Sequence, residues 1–102
     1  MPKEGNGQPI VFKVSFSGAL AQELKKLHKR AKSAGLGDAY LEALRVAVFR
    51  MKNDPWGFGE LIGRMKNSPW SIHVRVIKPL LFEFGIHEEE PIVFIRRVQL
   101  MI

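Results

Sequence analysis

Cysteine is absent from these 102 residues, so neither a disulfide nor a thiolate zinc site can form, and the chain suits a reducing cytoplasm. No apolar run approaches the ~18 residues that a bilayer span requires. Residues 1–9, MPKEGNGQP, lack the apolar core of a signal peptide. A cytoplasmic protein without membrane contact is expected. Acids are scarce: 10 Asp and Glu stand against 16 Lys and Arg, giving a net charge of +6 and a pI near 10.0. That imbalance favours an acidic partner such as RNA, DNA, the ribosome or an acidic protein segment. HExxH spacing is missing, and His87 with Glu88, Glu89 and Glu90 would need ligands from other elements, so no metal or cofactor is expected. Ser15, Ser17, Ser33, Ser68 and Ser71 lie in no nucleophile elbow.

What is present is enough for one domain, residues 9–102, behind a flexible lead-in of residues 1–8 that carries two glycines and no apolar run. Ile10, Phe12, Val14 and Phe16 alternate with smaller or polar residues, which predicts a strand from Pro9 whose even-numbered face is buried. Ser17 is placed to cap a helix running to about Ala34. Its stripe is Leu20, Leu24, Leu27, Ala31 and Ala34; Lys25, Lys26, His28, Lys29, Arg30 and Lys32 fall on the polar remainder. Gly35 suits the left-handed residue that ends a helix. A second helix is predicted from Ala39 to Asn53, capped by Asp38, with Leu41, Leu44, Val48 and Met51 inward and Tyr40 and Ala47 widening the stripe. Pro55 stops it.

Asp54 to Glu60 is a turn-rich connector, and Leu61 to Asn67 reads as a short extra strand or a loop. Three β-rich runs follow, Trp70 to Ile77, Leu80 to Ile86 and Ile92 to Ile95. The last two flank the polar turn His87 to Pro91. The fold class expected is therefore α+β: an N-terminal strand, an αα-hairpin, then a three-stranded antiparallel meander, with the hairpin covering one face of a four-stranded, largely antiparallel sheet.

This order in a short basic chain resembles the RelE/ParE superfamily of bacterial toxins. The likeness lies in Asp54-Pro55-Trp56-Gly57-Phe58-Gly59, in Val74-Arg75-Val76, in Leu81 to Glu89 with its aromatic strand and acidic turn, and in Val93-Phe94-Ile95 with Val98. The resemblance implies a toxin neutralised by a cognate antitoxin. RelE-like members cleave messenger RNA on the ribosome without metal, and ParE-like members poison DNA gyrase. Arg75 matches the family's phosphate-holding arginine. Leu81, Phe84, Leu100 and Met101 replace its arginine, tyrosine and basic pair, and Ile102 is reached before the family's C-terminal His or Tyr. Cleavage of RNA by its own 2′-hydroxyl needs a proton acceptor and a donor as well as cationic stabilisation. Arginine supplies chiefly the last. The resemblance thus implies the fold and target binding more than nuclease chemistry.

The residues themselves suggest two nucleic-acid surfaces. Arg75 and His73 share a strand face, while Arg96 and Arg97 point to opposite faces, so one of that pair joins them in a phosphate-binding hollow with Arg64 and Lys66. In that hollow His73 is the candidate acid or base, its pKa lowered by the neighbouring arginine. The bland reading of the same residues is a solvated sheet face and a passive histidine. The second surface is the helical run containing Lys25 and Lys29, either a track for a nucleic-acid backbone or a solvated face. Trp56, Phe58 and Trp70 either stack on bases or close the edge of the core. His87 is expected to be solvated, and His28 to sit on the polar side of the first helix. Three functions follow: a toxin-like component that binds RNA, ribosome or gyrase; a metal-independent endoribonuclease using Arg75 and His73; and a homodimeric or antitoxin-binding scaffold.

Overall fold

The computed structural model describes residues 9–102, so the expected flexible lead-in, residues 1–8, lies outside the described residues. Strand β1 (Lys13–Phe16) is followed by helices α1 (Gly18–Ser33) and α2 (Gly37–Asn53), a single turn α3 (Pro55–Phe58), and strands β2 (Glu60–Arg64), β3 (Trp70–Ile77), β4 (Leu80–His87) and β5 (Ile92–Leu100). The α+β class is as expected. The sheet has five strands rather than four, ordered β1-β5-β4-β3-β2. The additional member is β2, formed by the stretch that reads as either strand or loop. β3, β4 and β5 make the antiparallel meander, β2 extends it antiparallel, and β1 closes the far edge parallel to β5.

Both helices cover one face. Leu20, Leu27 and Ala31 of α1 and Tyr40, Ala43, Ala47 and Met51 of α2 pack on Phe82, Phe84, Ile86, Val93, Ile95, Val98 and Leu100. Burial of large apolar side chains, at ~1.5–3 kcal/mol each, is the principal force holding the layers together. Among the described residues no helix is long and apolar enough to cross a membrane.

Several local expectations hold. Ser17 Oγ accepts from Leu20 N at 3.1 Å, and Gly35 adopts φ 77° where α1 turns into α2. Others are corrected. The first strand begins at Lys13, because Phe12 N donates to Lys52 O of α2 rather than to the sheet. Of its even-numbered face only Phe12 and Val14 are partly covered, while Ile10 and Phe16 are exposed. Helix α2 starts at Gly37 after Leu36 with no side-chain cap, and Asp38 lies inside its first turn, where a negative charge still complements the dipole.

The buried stripe of α2 is Tyr40, Ala43, Ala47 and Met51, and Leu41 is turned outward. Two alanines permit close approach to the neighbouring layer, and Tyr40 Oη donates to Leu24 O of α1 at 2.8 Å, fixing this rotation. Ala34 is likewise exposed at the end of α1. Pro55 ends α2 as expected and also opens α3, whose Gly57 N donates to Asp54 Oδ1.

Candidate nucleic-acid interface

The β3–β4 register opposes Ser71 to Ile86, His73 to Phe84 and Arg75 to Phe82. Because Phe82, Phe84 and Ile86 face the helices, Ser71, His73 and Arg75 do too, which keeps His73 and Arg75 together as the alternation predicts. Arg75 reaches solvent, but His73 is not open to solvent in the way an acid–base hollow requires. The His73 side chain is 4% exposed. Its ring stacks on Phe84 at 5.6 Å and meets the edge of Trp56 at 5.5 Å. Nε2 lies 3.0 Å from Ser71 Oγ, which also donates to Ile86 O. Nδ1 is sealed in without any partner.

Burial pushes the His73 pKa down. A neighbouring cation is not the cause, because Arg75 turns towards α3. Its Nη1 donates to Phe58 O at 2.9 Å, and the guanidinium lies over the Phe58 ring. Phe58 is buried and closes the core edge, whereas Trp56 is 47% exposed.

Arg96 and Arg97 occupy the opposite face of the sheet, and both are on it. Phe84 pairs with Ile95 and Glu83 with Arg97, so Arg96 is the extra residue of a β-bulge. The bulge resets the alternation and lets Val93, Ile95, Val98 and Leu100 all enter the core. Glu83 collects the two guanidinium groups, Arg96 at 3.1 Å and Arg97 at 3.2 Å. The predicted hollow uniting them with Arg75 and His73 is therefore not assembled. Glu83 is the organiser that sequence reasoning missed; counting back from the Ile86–Val93 pair places it opposite Arg96, and the bulge then brings Arg97 to it as well.

The remaining candidates are dispersed. Arg64 ends β2 paired to Glu88 at 2.7 Å, and Lys66 is exposed in the following turn. His87 is half-buried rather than solvated: Nδ1 accepts from Glu89 N and Glu90 N, and its ring meets Trp70. Among the described residues no three His, Asp or Glu side chains could hold a metal ion.

Helix α1 presents the densest charge. Lys25, Lys26, Lys29, Arg30 and Lys32 are exposed, and Glu23 is the helix's single acid. Among the described residues none of these cations forms an ion pair. His28 departs from the polar face, stacking on Tyr40 at 5.0 Å between ring centroids. Compared with family models, curated proteins and solved structures, the chain matches none.

Proposed function

We propose that the chain is a RelE/ParE-like toxin component that acts in the cytoplasm by binding RNA, free or on the ribosome, through the cationic face of α1, and that an acidic antitoxin neutralises it. The observation that carries this reading is the run of exposed cations from Lys25 to Lys32 with only Glu23 beside it. Most of the net charge of +6 sits on that helix. Such a surface attracts phosphates and releases their counterions without reading sequence.

Binding is favoured over cleavage by the surroundings of the two candidate catalytic residues. Both ring nitrogens of His73 are buried, Nδ1 without a partner and Nε2 against Ser71 Oγ, while Arg75 is an exposed cation that donates to Phe58 O. A general base must reach the proton that it abstracts, and His73 does not in this arrangement.

Induction in a bacterial host is expected to slow growth and translation and to leave plasmid supercoiling unchanged. In fluorescence anisotropy with a short single-stranded RNA, Lys25→Gln and Lys29→Gln should each weaken binding and lower the log–log salt slope by about 0.7. Normal growth together with no RNA binding at about 50 mM salt would remove the proposal. Loss of supercoiling with translation intact would transfer the target to gyrase.

A further inference from the structure

Among the described residues neither helix packs on the second face of the sheet, which carries the buried Ile72 beside the exposed Phe94. Across that face Gly63, Ile72, Gly85, Phe94 and Ser15 lie in one register row spanning all five strands. Gly85, at the centre of the row, leaves a notch. Trp70 leans over it closely enough that a Cβ on residue 85 would sit 3.2 Å from Trp70 Cε3. The resulting hollow, about 230 Å³, is lined by Met65, Trp70, Ile72, Gly85, Phe94 and Arg96. Phe94 is 37% exposed on one wall. Arg96 stands at the rim, held by Glu83.

Arg96 also borders a second hollow, about 450 Å³, between the start of α1 and β5, where Ser17, Glu23 and Arg97 lie. Lys13 lies on the same face as Ser15 and adds a further cation at the β1 edge.

We infer that the notch over Gly85 is a nucleobase slot, seating an unpaired base of single-stranded RNA between Trp70 and Phe94 with Arg96 on the adjoining phosphate. The inference rests on the RNA-binding reading above and adds where the base goes. Aromatic faces flanked by guanidinium groups suit any base, because every base has a π-face. An apolar side chain of a protein partner would use the aromatic walls alone, whereas a nucleotide also engages the cation at the rim, Arg96. Duplex RNA is excluded, since its bases are stacked within the helix.

The test uses Trp56→Phe as the parent, leaving Trp70 as the single tryptophan. A short oligoadenylate should quench Trp70 fluorescence. Phe94→Ala should weaken oligoadenylate binding roughly 5- to 100-fold and leave the binding of inorganic polyphosphate, which has no bases, unchanged. Gly85→Ala should act in the same direction. Should it fail to fold, Phe94→Ala still decides the matter, because its side chain is at the surface. Oligoadenylate binding of undiminished strength in Phe94→Ala, without quenching in the parent, would overturn the slot and leave the α1 reading standing. Binding of neither oligoadenylate nor polyphosphate would remove both. Quenching by an acidic leucine-rich peptide but not by oligoadenylate would overturn the slot and assign the notch to a protein.

Discussion

Acid should destabilise this protein through His73. In the fold the imidazole is 4% exposed, and burial holds its pKa below the ordinary value of 6.5. In the unfolded chain the same ring takes up a proton near pH ~6.5. Between the folded and unfolded pKa values the unfolded state binds more protons, so stability falls as pH drops. The contribution is complete above pH ~6.5 and declines by up to about 1.4 kcal/mol per pH unit until the folded pKa is passed. Against a total of about 5–15 kcal/mol for an ordinary domain, that loss is readily measured.

His73→Phe isolates the effect. A phenyl ring keeps the stack on Phe84 and the contact with Trp56, cannot titrate, and removes Nδ1, the buried atom without a partner. Leaving such an atom unpaired costs about 1–3 kcal/mol. Ser71 Oγ loses its ring partner but retains Ile86 O. The variant should therefore match the parent or exceed it by about 1 kcal/mol near pH 7.5. Urea unfolding at intervals between about pH 7.5 and 5.5, a range in which ordinary carboxylates stay ionised, should give a parent midpoint that falls relative to the variant's as the pH drops. His28 and His87 are common to both proteins and cancel. Parallel profiles would refute the burial argument.

Gly59→Ala should cost about 1–3 kcal/mol in thermal or urea unfolding, because a Cβ there would meet Phe84 Cζ at 2.8 Å and Val74 O at 2.9 Å; a loss below a few tenths would show that the β2 edge yields. Ser17→Ala should cost about 1 kcal/mol by removing the acceptor of Leu20 N, and Ser17→Asp should restore most of it. Glu83→Gln should change stability by no more than about 1 kcal/mol, since Arg96 and Arg97 are well exposed. Freed of that carboxylate, the two arginines should bind RNA more tightly at low salt and with a steeper salt dependence. An unchanged slope would exclude the outer face from the interface.

The strands β3 and β4 were legible because their alternation is strong: Leu80, Phe82, Phe84 and Ile86 carry period two without interruption, whereas β5 was read only to Ile95 and runs on through its bulge to Leu100. β2 was not, because an edge strand exposed on both faces has no alternation to read. In α2 the apolar residues run wide enough to define two rival stripes, and only the packing of Tyr40, Ala43 and Ala47 against the neighbouring layer selects between them. The site suffered from one residue. Strict alternation separates Arg96 from Arg97, whereas the bulge reunites them on Glu83, and no residue type marks where a bulge falls. For His73 the strand face was correct, but its covering by Trp56 comes from a different part of the chain, and periodicity within β3 carries no record of it.

The pairing of β1 with β5, Lys13 opposite Ile92, imposes an order of events on synthesis. Strand β1 must wait for β5, about 75 residues later, before it gains its neighbour in the sheet. Until then α1 and α2 have only the β4 part of their floor, and Val93, Ile95, Val98 and Leu100 are missing from it. Long-range closure of this kind slows folding and lengthens the exposure of sticky surfaces. A nascent chain stalled within the codons for Ile92 to Leu100 would hold an open sheet, because β1 and β4 both pair with β5.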